Sequence, residues 1–267
     1  YITGRSRKGK SKTQYDDLTL DSTKELIEKV GGECIIVECD HSNENEIRSI
    51  FETISQREGK LDILVNNVWA GYTDKNFQLD IETDSFSADF WEQPLWRWDH
   101  MFQVSLRSHF ICSKEAANLM VPSKSGLIVT TGFWDDDKYL SQVPYDVVKQ
   151  AKARLAYGMA IDLLEHNVTS VYVSMGWIRT EHLKRTSEDG QLNDENYKDY
   201  AGYERTESTR YVGRAIVKLA SDPNILEKTG RTLTTGELAR EYDFVDLDGS
   251  QPERFVVTEK SKGLTVR

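Results

Sequence analysis

Short apolar runs alternate with amphipathic stretches of helical period almost from one end of this 267-residue chain to the other. Buried parallel strands read as continuous apolar runs, and the helices that cover them read as one-sided. The alternation therefore restricts the chain to an α/β fold, a single doubly wound parallel sheet with helices on both faces. Strands are predicted over residues 34–39, 61–65, 127–131 and 168–174, with a strand end at 1–3 and a last short strand at 231–235. Helices are predicted over 21–30, where Asp21 caps and Gly31-Gly32 stop the run, and from a Ser42 or Asn43 cap with Ile47, Ile50, Phe51 and Ile54 at helical spacing. Further helices cover 96–120, 144–165 (opened by Pro144) and 208–220. Residues 6–17 read as a loop and 186–205 as polar without a clear helix. Residues 69–91 form a long aperiodic segment rich in aromatic and acidic side chains, of the kind that is functional or disordered. With no repeat or linker, the expectation is one domain over 1–249 and a polar tail over 250–267.

Charge and cysteine usage narrow the function classes. Against 34 Lys and Arg stand 44 Asp and Glu, a net charge of −10, whereas nucleic acids and anionic membranes want a basic face. No run approaches the roughly 18 apolar residues that a bilayer span needs. Cys34, Cys39 and Cys112 are odd in number and lack CxxC spacing, which suggests neither a disulfide framework nor a zinc site and points to a reducing, cytoplasmic setting. The histidines (His41, His100, His109, His166, His182) show no paired metal spacing, so no metal is assigned. Asp135-Asp136-Asp137 reads as a solvated loop or a lure for a cation.

The sharpest chemical feature is Tyr145 with Lys149 one helical turn later. Residues four apart share a helix face, so an ammonium can stand beside a phenol and lower a pKa that is otherwise near 10. Such a tyrosine can act as general acid toward a carbonyl or general base toward an alcohol. On its own the spacing also arises from unrelated surface residues. Here it opens the helix that follows a central strand, where open α/β sheets place their ligands.

Together with Leu61-Asp62-Ile63-Leu64-Val65-Asn66-Asn67, Ala70-Gly71, Cys39-Asp40, Gly126-Leu127-Ile128-Val129 and the segment from Gly176 to Thr180, this pair resembles the short-chain dehydrogenase/reductase family in order and spacing. The resemblance covers nearly the whole chain. It implies a Rossmann-type domain that binds a nicotinamide dinucleotide, with a strand, a Gly-rich turn and a helix expected before Tyr1. In that family pattern Asp40 bonds the adenine amino group, Asn66 lies along the cofactor cleft and Thr180 holds the carboxamide. Tyr145 donates or accepts the proton, while Lys149 holds the ribose hydroxyls and tunes it. Alone, Asp40 reads equally as a helix cap and Asn66 as a strand-end hydrogen bonder, while Thr180 reads more often as a helix cap than as a ligand contact. NAD users end the second strand with a carboxylate for the ribose 2′-hydroxyl, and an Arg suits the 2′-phosphate. This chain has Gly4-Arg5 there, followed by Ser6, Arg7 and Lys8, so NADP(H) is expected over NAD(H). The alternative is a solvated basic loop.

Three positions depart from the family pattern. The active-site Ser falls on Gly132, which has no hydroxyl, and Thr131 is the nearest substitute although strand alternation turns it to another face. The helix Asn of the proton relay falls on Ser105, and the usual Pro-Gly is Met175-Gly176. Two readings follow: an oxidoreductase for a carbonyl/alcohol pair, slowed by the missing donor, or a cofactor-binding or interaction protein on the same scaffold. A methyltransferase-type domain is a third class, against which the Tyr145/Lys149 pair argues. Trp69, Tyr72, Trp91, Trp96, Phe133, Trp134 and Trp177 suggest an aromatic pocket for an apolar or ring-containing substrate, with core packing and a subunit interface as alternatives. The helices over 96–120 and 144–165 are apolar on more than one face, and family relatives pair them, so a homodimer or homotetramer is expected.

Overall fold

The computed structural model describes residues 1–12, 16–71, 88–134, 138–140, 142–181 and 206–256. They fall into two compact units: the described residues within 1–61, 66–123 and 141–148, and those within 62–65, 124–140 and 149–267. Among them no helix is long and apolar enough to cross a membrane.

In the first unit, β1 (Ile2–Gly4) pairs in parallel with β2 (Ile36–Glu38), Gly4 opposite Glu38. Helix α1 (Leu20–Lys29) joins them. It is capped by Thr19 and not by Asp21: the Thr19 side chain accepts from the Ser22 amide, and Ser22 Oγ accepts from the Thr19 amide at 3.1 Å. Asp21 is instead committed to Arg7, whose Nε and Nη2 both donate to it at 2.9 Å. Helix α2 (Glu44–Glu58) has Asn43 as its cap, buries Ile47, Ile50, Phe51 and Ile54 as the spacing required, and stops at left-handed Gly59. The long helix expected over 96–120 is real in length but not continuous. It runs as α3 (Leu95–Phe102), a π-helical turn (Gln103–Arg107) and α4 (Ser108–Ser123).

The second unit is built on a four-stranded sheet in the order β3 (Ile63–Asn66), β4 (Gly126–Gly132), β5 (Val168–Ser174) and β8 (Thr232–Thr234). β4 and β5 are parallel over seven residues, from Gly126 opposite Val168 to Gly132 opposite Ser174. Alternation sorts their side chains. Leu127, Val129, Val171 and Val173 join Leu233 in a core with Tyr211, Ala215 and Leu219 of α6 (Thr209–Ala220) and Leu238 and Ala239 of α7 (Thr235–Glu241). The opposite face turns Tyr172 toward Ala153 and Ala156 of α5 (Val143–Leu163). Helix α7 was hidden in the sequence because it is short, although its Thr234/Glu237 capping box is a readable start signal. The expected carboxy-terminal tail begins in contact: Pro252 is buried, and its carbonyl accepts from the Tyr211 hydroxyl at 3.1 Å.

A two-stranded parallel sheet, β6 (Trp177–Ile178) with β7 (Thr206–Glu207), follows β5. Its stitching is electrostatic. Arg179 Nη1 donates to the Thr206 carbonyl and hydroxyl at 2.9 and 2.8 Å, and its Nη2 meets Asp246 at 3.1 Å with both side chains buried. Asp246 also accepts from the amides of Ser208 and Leu247 and from the Ser208 hydroxyl. Removing one partner of a buried pair strands the other charge. Asp246→Ala should therefore lower the unfolding free energy by about 3–5 kcal/mol, read from urea denaturation.

Candidate active site

Arg5 follows β1 directly, and its Nη1 lies 3.6 Å from Asp40 Oδ2, with each side chain about one-third exposed at 34% and 36%. Asp40 accepts from the Ser42 amide at 2.8 Å and hydroxyl at 2.7 Å, closing a turn ahead of the Asn43 cap. Burial opposes ionisation of Asp40, but the Ser42 bonds and the Arg5 charge outweigh it and hold the carboxyl below its usual value. Of the three cations expected around the cofactor's 2′ group, Arg7 is therefore spent on Asp21 and Arg5 is shared with Asp40. Arg5 stays partly open to solvent at the end of its strand.

Asn66 ends β3 as a buried side chain whose Nδ2 donates to Ser113 Oγ at 2.9 Å. Ser105 sits fully buried in the π-helical turn, and its Oγ accepts the Ala70 amide at 3.0 Å. Tyr145 and Lys149 occupy the first two turns of α5, four residues apart as expected. Tyr145 meets the ring of Trp69 edge-on, centroids 5.4 Å apart and planes at 74°. Lys149 is 7% exposed, and burial alone pushes its ammonium down to about 7. A buried amine can donate to hydroxyls such as those of a ribose, so the donor set fits a dinucleotide.

The hydroxyl substitute at the end of β4 does not materialise. Thr131 pairs with Val173, so by register it shares the face that packs on α6 and α7, while position 132 faces the other way with Tyr172. A Cβ on residue 132 would lie 1.9 Å from the Tyr172 hydroxyl oxygen, which donates to the Phe133 carbonyl at 3.3 Å. The glycine is thus the counterpart of a large tyrosine on the neighbouring strand. Neither Tyr172 nor its role was legible in the sequence, where it reads as one more strand residue.

The segment after β5 is held from below. The Gly176 amide donates to Glu207 Oε1 at 2.9 Å, and the Thr235 hydroxyl donates to the same oxygen. A Cβ at residue 176 would come within 2.5 Å of that oxygen, which explains the glycine. Thr180 is exposed, with its amide donating to the Ile178 carbonyl at 2.8 Å. Burial raises the Glu207 carboxyl to about 7 against the opposing hydrogen bonds of Thr235 and Gly176, with Asp246 pushing up and Arg179 pulling down. The remaining aromatics divide. Trp96 lies beneath the Arg97 guanidinium and Trp91 is exposed against Phe90. In the second unit Phe133 packs on Phe255, Trp134 joins the Tyr172 cluster and Trp177 is exposed. Tyr72, His182 and Asp135-Asp136-Asp137 lie outside the described residues. Among the described residues no three His, Cys, Asp or Glu side chains gather as a metal site.

A family model described as enoyl-(acyl carrier protein) reductase matches residues 12–234. Dehydrogenase/reductase SDR family member 1 from Homo sapiens is 37% identical over 252 residues, covering 93% of this chain and 75% of the relative. The Mus musculus protein of that name is 38% identical over the same shares. Among solved structures, an acetoin dehydrogenase from Salmonella typhimurium superposes with a TM-score of 0.64 at 22% identity, covering 88% of this chain and 83% of its own. A metagenomic short-chain oxidoreductase in complex with NADP superposes at 0.53 and 20% identity, covering 65% and 69%. These neighbours bear out the α/β fold of parallel strands with helices on both sides.

Two stability measurements test the geometry. Gly132→Ser should cost about 1–3 kcal/mol or more by overpacking against Tyr172, and less in a Tyr172→Ala background, as a denaturant double-mutant cycle would show. Glu207 keeps its proton in the folded chain up to about 7, whereas an unfolded carboxyl loses it near 4.5. Its stabilisation is complete below the lower value and is lost as pH rises through the upper one. Relative to Glu207→Gln, the wild type should lose roughly 3 kcal/mol between pH 4.5 and 8 in unfolding titrations.

Proposed function

Because the chain belongs to the short-chain dehydrogenase/reductase family of oxidoreductases, we propose that it is an NADP(H)-dependent enzyme for a carbonyl/alcohol pair, with Tyr145 as the proton-transfer group. The observation that carries this reading is the pair at the head of α5, Tyr145 with the buried, near-neutral Lys149 one turn on. When bound, the cofactor supplies or takes up the hydride. Tyr145 gives its hydroxyl proton to the carbonyl oxygen in reduction and takes it from the alcohol in oxidation. Lys149 holds the nicotinamide ribose hydroxyls and favours the phenolate. Asp40 receives the adenine amino group, Asn66 borders the cleft and Thr180 meets the carboxamide. Arg5 faces the 2′-phosphate. The NADP-bound neighbour is in keeping with that preference, though it is similar only in fold.

The substrate is a small carbonyl compound or alcohol, and Trp69 against Tyr145 favours an apolar or ring-containing one. Exposed Tyr157, Ile161 and Leu164 on and just after α5, with Phe110 on α4, support a homo-oligomer built on these helices. Gly132 favours a second reading, a protein that binds the cofactor without turnover, because position 132 carries no donor for the substrate oxygen.

One set of assays separates the two. NADPH should bind at least about tenfold tighter than NADH, by titration of ligand fluorescence. A panel of carbonyl compounds should be reduced, and Tyr145→Phe should lower kcat by about 10²–10⁴-fold while NADPH binding persists. Binding without Tyr145-dependent turnover would establish the second reading, and a preference for NADH would overturn the role of Arg5.

A further inference from the structure

The six residues Asn66–Gly71 run from the end of β3 to the edge of the described segment, and one helical column pins four of them. Ser113 accepts from the Asn66 side chain at 2.9 Å. His109 Nε2 donates to the Val68 carbonyl at 3.1 Å. Ser105 accepts the Ala70 amide at 3.0 Å, and Arg97 Nη1 donates to the Gly71 carbonyl at 2.5 Å. Ser105, His109 and Ser113 succeed one another at four-residue spacing, so they share a face. All four side chains are at most 2% exposed. Gly71 completes the fit: its φ of +123° excludes most side chains, and a Cβ there would run into Met101 at 2.5 Å.

Trp69 lies between the pinned carbonyl of Val68 and the pinned amide of Ala70. Its backbone therefore has little freedom, and its ring meets Tyr145 at 5.4 Å and 74°, the edge-to-face geometry that aromatic quadrupoles prefer. All of these residues belong to the first unit. A phenol has one soft torsion at its ring and another at Cβ, so a fixed aromatic neighbour restricts where its hydroxyl points.

We propose that Trp69 is a positioning residue: held in place by the Arg97, Ser105, His109 and Ser113 column, its indole sets the direction of the Tyr145 hydroxyl. Ser105 then serves the reaction through the Ala70 amide and Trp69. The proposal rests on Tyr145 being the proton-transfer group.

Displacing a reacting group by about 1 Å can cost on the order of 10²-fold in rate. Trp69→Ala should thus lower kcat by about 10- to 100-fold, leaving KM for NADPH and for the carbonyl substrate within about twofold. Trp69→Phe, which can re-form the edge-to-face pair, should recover most of kcat. Ser105→Ala should lower kcat as well, but add nothing in the Trp69→Ala background, because both act through one group. Full kcat in Trp69→Ala, with Tyr145→Phe inactive, would overturn the proposal and leave the proposed function standing. A rise in substrate KM alone would overturn it too, making Trp69 a wall of the pocket. Turnover that survives Tyr145→Phe would remove the proposed function and this inference together. Should Trp69→Ala not fold, Trp69→Leu decides, since it fills space without an aromatic edge: full kcat there overturns the proposal and a selective kcat loss supports it.

Discussion

Where a parallel strand ends inside a protein, its last backbone groups lose their ladder partners and must be satisfied some other way. In this chain buried side chains take them over, in each of the two units by itself. After β3, Ser105 and His109 bond the backbone of residues 70 and 68. After β4, Ser174 Oγ accepts the Trp134 amide at 2.8 Å and donates to its carbonyl at 3.0 Å. After β5, Glu207 accepts from Gly176. Each bond contributes only about a kilocalorie, but leaving such a group unpaired costs more, and that asymmetry keeps the loops in one conformation.

The same economy explains why family positions carry other residues. Position 105 uses its one hydroxyl to accept a backbone amide from residue 70, so its oxygen is part of the scaffold. Position 132 has surrendered its side chain to the ring of Tyr172. Position 132 has no hydroxyl, and the Tyr172 hydroxyl, bound to the Phe133 carbonyl, is buried beside it. On α5, burial lowers the pKa of Lys149, one turn after Tyr145.

Much of this was legible beforehand. β5 lies over 168–174 as its β-branched alternation required, α2 buries the four residues picked by spacing, and α5 opens with Pro144 in its first turn. The misreadings have local causes. Asp21 looked like a cap because acidic residues favour helix starts, yet Thr19 had a reciprocal partner in Ser22 and Asp21 was drawn to Arg7. The π-helical turn leaves no mark in an apolar pattern, since inserting one residue into a helix buried on more than one face changes little that periodicity can register.

Amino-acid order alone determined where most of the elements lie, that the fold is α/β, and that Tyr145 and Lys149 stand one turn apart. These depend on propensity and period, which act over a few residues. Only the tertiary structure decided that Ser105 serves residue 70, 35 positions away, and that Glu207 serves Gly176, 31 positions away. It also decided that Tyr172 closes the space at Gly132 and that Trp69 lies against Tyr145. Burial, desolvation and ring contact are properties of neighbours in space, and those neighbours exist only once the strands have paired and the helices have packed.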